Sequence, residues 1–260
     1  MEQEILENRA AWDSRVDLHV DSKFYDLEAF RGGQCSLNSI EVEGVGDVAG
    51  KRLLHLQCQF GQDTLSWARR GARVTGVDLS TRAIQVARGL ADELAIEARF
   101  LESDVLALEL DETFDIVFTS YGVLGWLPDL KRWAEVVARS LSPGGFLYLV
   151  EFHPTLLLFD FDTGGLGYEY FHRGYTEENS GTYANRDDQT VRTEHSWSHP
   201  LESVVGSLLE QGLVLEEFRE FDYSPYDCFP NMHEVEKGRY RFETAVVLPH
   251  LFSLKARAPR

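Results

Sequence analysis

The sequence predicts an α/β fold built on a doubly wound, mostly parallel sheet. Between Lys51 and about Val150, short apolar runs alternate with amphipathic stretches, which is the pattern of parallel strands joined by crossover helices. A chain of 260 residues with 43% hydrophobic residues can also bury a full core. We therefore expect one domain with additions rather than two independent domains.

Five predicted strands follow one another in this segment. In chain order they are LLHL, RVTGVD, ARFLESD, FDIVFTS and GGFLYLVE. The stretch STRAIQVARGLADELA places apolar residues on one helical face, and Ser80 is suited to be its N-cap. The stretch DLKRWAEVVARSL predicts another helix of the same kind, which ends at SPGG, where the chain turns.

The alternation stops after Glu151 and resumes near residue 198. Residues 155–197 and 222–247 are irregular and rich in aromatic side chains, whereas a helix closed by Gly212, a strand around LVLEEFREF and a last strand near HLFSLKA belong to the sheet. Long irregular insertions in a compact domain are usually functional covers. We interpret residues 51–154 as a cofactor-binding core and 198–260 as the rest of its sheet. Both insertions are then lids, and residues 1–50 form an N-terminal helical cover.

The composition excludes several classes of partner. A formal net charge of -18 opposes binding to nucleic acid or to an anionic membrane, so a small-molecule substrate fits better. No apolar run reaches the roughly 20 residues of a spanning helix, and the N-terminus lacks the pattern of a signal peptide, which favours a cytoplasmic protein. No metal site is predicted, because the cysteines lack metal-ligand spacing. The sequence leaves the oligomeric state open, a homodimer included.

Acidic residues follow two of the predicted strands, where open parallel sheets bind their ligands. Asp78 ends RVTGVD, and its carboxylate can accept hydrogen bonds from both hydroxyls of a ribose. Asp104 ends ARFLESD and is followed by Val105, so that a carboxylate and a backbone amide can contact an adenine edge. These positions predict a nucleoside site.

Two further features follow the other strands. The turn after LLHL opens a helix at Asp63 or Thr64, whose N-terminal amides can receive a carboxylate or a phosphate. The fourth strand ends in TSYG, so that Ser120 and Tyr121 would flank the reactive end of a bound cofactor.

Together these segments resemble the core of a class I S-adenosylmethionine-dependent methyltransferase. The matching stretches between Lys51 and Glu151 are LLHLQCQFGQDT, VTGVDLS, SDV, FDIVFTSYGVLGWLPD and LSPGGFLYLVE. The resemblance implies a Rossmann-like sheet of seven strands, the last antiparallel, with S-adenosylmethionine as cofactor. The cofactor contacts expected on this basis are Tyr25, Gln57, Gln59, Gly61, Asp63, Thr64, Asp78, Leu79, Asp104, Val105, Ser120 and Tyr121.

The first motif, HLQCQFG, departs from the family pattern. His55 stands where the family usually has an acid, Gln57 and Gln59 stand where it usually has glycine, and only Gly61 remains. Glycine permits positive φ and a close approach of backbone to ligand. We expect the glutamine amides to contact the methionine carboxylate or amine instead, while the loop keeps ordinary φ angles. The same side chains oppose a dinucleotide, because a pyrophosphate needs that close approach.

The candidates for catalysis are His153 and Tyr121. His153 follows the fifth strand in EFHP and could act as a general base, since an imidazole titrates near neutral pH. Tyr121, like Tyr25, Trp12 and Trp126, could stabilise the sulfonium with an aromatic face. TSYG differs from the Asn/Asp-Pro-Pro-Tyr/Phe turn of amino-group methyltransferases that act on adenine or glutamine amides, which favours a small, partly apolar or aromatic acceptor.

Two other functions remain open at this point. A protein of the same fold could bind S-adenosylmethionine or S-adenosylhomocysteine without methyl transfer, and the altered first motif is the reason to consider it. A nicotinamide-dependent oxidoreductase is the second alternative, and the two glutamines oppose it.

Overall fold

A computed structural model describes residues 2–161 and 163–260. Its helices are α1 (Glu2–Val20), α2 (Leu27–Arg31), α3 (Ser39–Val45), α4 (Gln62–Arg69), α5 (Thr81–Glu93), α6 (Leu130–Ser140) and α7 (Leu201–Glu210). Its strands are β1 (Arg52–Leu56), β2 (Arg73–Asp78), β3 (Arg99–Glu102), β4 (Phe114–Ser120), β5 (Leu141–Phe152), β6 (Arg173–Asn179), β7 (Arg192–Ser198), β8 (Val214–Phe221), β9 (Met232–Glu236), β10 (Arg239–Phe242) and β11 (Leu251–Arg257).

Seven strands form the central sheet in the order β3-β2-β1-β4-β5-β11-β8. The pairs from β3 to β5 are parallel, whereas β11 is antiparallel to both β5 and β8. Strand order reverses at β1, which lies between β2 and β4, so the carboxyl ends of these strands meet at a topological switch point. The predicted α/β fold class, with a doubly wound and mostly parallel sheet, is confirmed.

Helices cover both faces of the sheet, because neighbouring residues of a strand point to opposite faces. Leu54 of β1 belongs to the cluster around Trp133 and Leu208, on the side of α6 and α7. Leu53 belongs to the cluster around Trp67, on the side of α3 and α4. The predicted N-cap is also confirmed, since the Ser80 hydroxyl accepts a hydrogen bond from the first turn of α5.

Two small hairpins lie outside the central sheet. Strands β6 and β7 pair over residues 173–198, which extends one residue beyond the predicted insertion 155–197, and β9 pairs with β10 within 222–247. Helix α1 packs against β7: Asn8 exchanges two hydrogen bonds of 2.8 Å with the backbone of His195. The interpretation of these stretches as lids stays a prediction.

Nothing in the described part of the chain has the form of a spanning helix: each helix there is too short or too polar to cross a membrane.

Candidate functional site

A cavity of about 1000 Å³ opens at the carboxyl ends of the parallel strands. Its floor comes from the segments that follow β1, β2, β3 and β4, where four of the predicted site features lie. Side chains of α1, of the β6/β7 hairpin and of residues 226–230 complete its walls. Ten of the candidate site residues line it: Tyr25, Gln57, Gln59, Asp63, Asp78, Leu79, Asp104, Val105, Ser120 and Tyr121.

The loop after β1 has left-handed backbone at both glutamines. Gln57 has φ 55° and Gln59 has φ 50°, so our expectation of ordinary φ angles is wrong. Hydrogen bonds to β2 hold this conformation: the amide of Cys58 donates to Val77 O at 2.9 Å, and that of Gln59 donates to Asp78 Oδ2 at 2.7 Å. Left-handed backbone costs a residue with a Cβ about 1–2 kcal/mol. The loop therefore keeps the geometry of a glycine turn at the expense of strain.

The glutamine side chains are partly engaged by protein groups. Gln57 Nε2 donates to Val123 O at 2.9 Å, while its Oε1 is buried without a hydrogen-bond partner among the described residues. Gln59 Nε2 lies 3.0 Å from Nδ1 of His19 on α1. One amide oxygen therefore remains for a ligand, and the Gln59 side chain ties the loop to the N-terminal helix.

Two predicted residues of this loop do not line the cavity. Thr64 is fully buried, and its hydroxyl lies 2.8 Å from Nδ1 of His55, whose pKa burial lowers to about 3, so the ring is neutral. Gly61, at φ 79°, caps α4, which starts one residue earlier than the predicted Asp63. A Cβ on Gly61 would lie 2.6 Å from the Phe100 ring. Both residues support the loop rather than contact the cavity.

Asp78 ends β2 and lines the cavity. Its Oδ2 accepts from the Gln59 amide at 2.7 Å and its Oδ1 from the Ser80 amide at 2.9 Å. A carboxylate offers about four acceptor positions, so about two remain for a ligand. Burial raises the pKa of Asp78 to about 6, against the hydrogen bonds from Ser80 and Gln59, which lower it.

Asp104 borders the cavity next to Val105. Its Oδ1 accepts from the Leu106 amide at 2.9 Å and caps a short 3-10 helix, Val105–Ala107. This leaves Asp104 Oδ2 available to a ligand. Asp104 follows β3, which lies beside β2, so it is near the same end of the sheet as Asp78, and the adenine contact stays a prediction.

Glu151 holds the turn after β4 in place. Its fully buried carboxylate accepts hydrogen bonds from the amides of Gly122, Val123 and Leu124. The turn gives Tyr121 a φ of 48° and directs it to the cavity wall. Burial raises the pKa of the Tyr121 hydroxyl well above its usual range.

His153 is not among the residues that line the cavity. Its Nδ1 lies 2.7 Å from the hydroxyl of Thr155, and its Nε2 lies 3.1 Å from a carboxylate oxygen of Glu220 on β8. Burial lowers the pKa of this imidazole, although Glu220 opposes the shift. The structure therefore does not bring His153 together with the other predicted site residues.

The roof of the cavity contains residues that the sequence did not single out. Arg15 of α1 forms an ion pair with Glu194 of β7, and both side chains are largely buried. Tyr183 of the same insertion contacts the Tyr25 hydroxyl. The partners of Arg15, Glu194 and Tyr183 are far away in the chain, so no local pattern marks these three residues. Trp12 and Trp126, both candidates from the sequence, lie edge-on to each other at 5.2 Å between ring centroids.

No group of three or more metal-ligating side chains is found within residues 2–161 and 163–260.

Residues 53–145 match a family model described as a methyltransferase domain. A ubiquinone biosynthesis O-methyltransferase of Xanthomonas oryzae pv. oryzae (strain PXO99A) is 32% identical over 152 residues, which are 56% of this chain and 63% of that protein. The protein of the same name from Bordetella avium (strain 197N) is 26% identical over 233 residues, which are 82% of this chain and 88% of that protein.

Solved structures share the fold. The crystal structure of an S-adenosylmethionine-dependent methyltransferase from Mesorhizobium loti has a TM-score of 0.57 and 18% identity, and it covers 87% of this chain and 99% of its own. The chain spans less than two thirds of the length of the first curated relatives. The predicted resemblance is supported over residues 53–145, which match the methyltransferase-domain model.

Proposed function

We propose that the protein is an S-adenosylmethionine-dependent methyltransferase whose acceptor is a small, partly apolar or aromatic molecule. The observation that carries the proposal is the position of Asp78, at the end of β2 in a cavity that Asp104 also borders, within a methyltransferase domain. The names of the relatives support methyl transfer, and the charge of -18 opposes an anionic polymer as acceptor.

The residues present fit the nucleoside half of this cofactor. Ribose hydroxyls can donate to the acceptor positions of Asp78 that the backbone leaves free. Adenine can lie between Leu79 and the turn at Asp104 and Val105, all of which border the cavity. Helix α1 closes this half from above with Trp12, which excludes water from the bound nucleoside.

The methionine half lies along the loop after β1. The unpartnered Oε1 of Gln57 can accept from the ammonium group, and the buried carboxyl of Asp63 lies at the start of α4 on the same side. Ser36 donates to Asp63 at 2.6 Å and fixes its orientation. Asp63 on α4 thus supplies the carboxyl group that the family usually has at the position of His55. When bound, the cofactor supplies an electrophilic methyl group on sulfur, and Ser120 and Tyr121 border this position.

The acceptor side of the cavity is aromatic. Tyr121 contacts Tyr226 edge-on at 5.1 Å between ring centroids, and Phe152 contacts Phe229 at 4.9 Å. Such a wall binds a planar or apolar molecule and excludes water from the reacting atoms. The protein's part in the reaction is then to align the acceptor and to remove water.

The second candidate function is cofactor binding without methyl transfer. It is favoured by the hydrogen bonds of both glutamine side-chain nitrogens to protein groups and by the absence of His153 from the cavity lining. The nicotinamide alternative is disfavoured, because the side chains of Gln57 and Gln59 occupy the approach that a pyrophosphate requires.

Calorimetric titration with S-adenosylmethionine, S-adenosylhomocysteine and NADH separates these functions. The proposal expects binding of both sulfur compounds and none of NADH. Transfer of a labelled methyl group to a panel of small aromatic acceptors then separates an enzyme from a binding protein. Tight NADH binding, or no binding of either sulfur compound, would contradict the proposal.

A further inference from the structure

The segment between β6 and β7 folds into a compact tip at the roof of the cavity. We call residues 180–187 the hairpin tip. Thr182 and Asn185 exchange two backbone hydrogen bonds, of 2.9 and 3.1 Å, which close the tip on itself. Its two longest side chains, Tyr183 and Arg186, both line the cavity. The tip is therefore an internally braced unit that borders the site.

Tyr183 connects the hairpin tip to the loop after β1. Its hydroxyl lies 2.5 Å from the Tyr25 hydroxyl and accepts a hydrogen bond from Gln59 Nε2 at 3.4 Å. Tyr25 is itself fixed to the core, because Gln62 of α4 donates to its carbonyl oxygen at 2.8 Å. The backbone amide of Gln59 donates to Asp78. Tyr183 thus reaches the residue whose backbone holds the proposed ribose acceptor.

Helix α1 orients the Gln59 side chain for this contact. The amide nitrogen carries two hydrogens, and its two acceptors are His19 Nδ1 at 3.0 Å and the Tyr183 hydroxyl. Burial lowers the pKa of His19 to about 3, so its ring is neutral and Nδ1 can accept. Burial also raises the pKa of Tyr183 to about 12, so its hydroxyl keeps its proton. The contact therefore joins neutral groups.

Arg186 connects the same tip to the second insertion. Its guanidinium donates to the carbonyl oxygens of Phe229 at 3.2 Å and Asp227 at 3.4 Å, and it lies 3.5 Å from the Asp227 carboxylate. Phe229 belongs to the aromatic acceptor wall, through its contact with Phe152. The Arg186 side chain is 48% exposed, so water competes for these contacts and they can break at little cost.

The base of the hairpin is held more firmly than its tip. The buried Arg192 of β7 donates to the Ser14 hydroxyl of α1 at 2.6 Å, and Asn8 forms its two hydrogen bonds with the backbone of His195. The tip is attached at one side through a tyrosine hydroxyl and at the other through an exposed arginine. Segments with few and weak attachments open locally while the rest of a fold stays in place.

We propose that the hairpin tip is a latch, which must release before S-adenosylmethionine enters the cavity or S-adenosylhomocysteine leaves it. This inference rests on the proposed methyltransferase function. Tyr183 and Arg186 are positioning residues: the first holds the tip to the cofactor loop, and the second holds it to the acceptor wall. With the latch closed, the roof keeps water away from the reacting atoms.

A latch made of contacts between protein groups slows entry and exit alike. Its removal lowers the barrier in both directions, so the association and dissociation rate constants rise together and Kd changes little. A residue that binds the ligand directly behaves differently, because its loss speeds dissociation, leaves association nearly unchanged and raises Kd. The two rate constants therefore distinguish a latch from a ligand contact.

The test uses Tyr183→Phe and Arg186→Leu in the full chain. Stopped-flow mixing with S-adenosylhomocysteine is followed by tryptophan fluorescence, since Trp12 and Trp126 line the cavity. For Tyr183→Phe, which loses two hydrogen bonds, we expect both rate constants to rise about tenfold. For Arg186→Leu we expect both to rise about threefold, because the lost contacts are exposed. Kd should stay within about twofold of wild type in each variant.

Tyr170→Phe and Arg173→Leu are the matched controls from the same insertion. Neither residue lines the cavity: the Tyr170 hydroxyl accepts from the Leu201 amide at 3.4 Å, and Arg173 pairs with Glu169. Both controls should keep the wild-type rate constants. Thermal unfolding checks each variant, and the exposed position of Arg186 makes Arg186→Leu the test that remains if Tyr183→Phe does not fold.

Three results would overturn the latch. The first is unchanged rate constants in the folded tip variants, and the second is an equal rise in the controls. The third is a raised Kd with unchanged association, which would make Tyr183 or Arg186 a ligand contact instead. If the wild type does not bind S-adenosylhomocysteine at all, the proposed function fails, whereas binding with rates that ignore the tip refutes the latch alone.

Discussion

Replacement of Asp78 by alanine tests the nucleoside site. In the structure this carboxylate accepts two backbone hydrogen bonds, from Gln59 and Ser80, and about two acceptor positions remain free. If both ribose hydroxyls donate to them, the variant loses two hydrogen bonds to a charged group. Each is worth about 1.5–3 kcal/mol.

The expected loss of affinity follows from the lower end of that range. Two bonds amount to about 3 kcal/mol, which is a weakening of S-adenosylhomocysteine binding by about 100-fold. Binding should also depend on pH, because the hydroxyls donate to the ionised carboxylate. Burial raises the pKa of Asp78 to about 6, so we expect wild-type affinity to fall as the pH drops below that value. The Asp78→Ala variant should lack this dependence.

Isothermal titration calorimetry with S-adenosylhomocysteine measures both effects. Asp115→Ala is the matched control, because Asp115 also accepts a backbone hydrogen bond, from Arg52 at 2.8 Å, but at the start of β4 and so at the opposite edge of the sheet. Thermal unfolding of each variant checks that it is folded. An Asp78→Ala affinity equal to wild type, or an equal loss in Asp115→Ala, would refute the ribose assignment.

Two further predictions concern the loop and the roof. Gln59 has φ 50°, so Gln59→Gly should be more stable than Gln59→Ala by about 1 kcal/mol in urea unfolding. Both variants lose the side-chain amide, but only glycine relieves the backbone strain. Equal stability of the two variants would argue against left-handed backbone at this position. Glu194→Gln leaves the buried guanidinium of Arg15 unpaired and should lower the free energy of unfolding by about 3 kcal/mol. Lys131→Gln disrupts the exposed ion pair between Lys131 and Glu210 and should lower the free energy of unfolding by less than about 1 kcal/mol. Similar losses of stability in the two variants would contradict a buried ion pair between Arg15 and Glu194.

The sheet and its ligand-binding edge were predictable because their signals are local. Parallel strands buried on both faces appear as short apolar runs, and helices with one buried face appear as amphipathic stretches between them. Asp78 and Asp104 come directly after such runs, so their place at one edge of the sheet follows from the strand order alone. The Ser80 cap was predictable for the same reason.

The backbone of the first loop and the direction of His153 were not predictable locally. Gln57 and Gln59 adopt positive φ because their loop donates hydrogen bonds to β2, whereas the replacement of glycine by glutamine led us to expect ordinary φ angles. His153 faces Thr155 and Glu220 instead of the cavity, and Glu220 follows it by 67 residues.

Some residues of the site depend on contacts between distant segments. Arg15 meets Glu194 only because α1 packs on β7, and no repeat or motif links them.

A crystal structure of the protein with S-adenosylhomocysteine would test the central claim most directly. We predict that both ribose hydroxyls lie within hydrogen-bonding distance of the Asp78 carboxylate and that adenine lies against Asp104 and Val105. The homocysteine tail should follow Gln57 toward Asp63. A ligand bound elsewhere, or a nucleoside in the reverse orientation with its ribose away from Asp78, would contradict the account.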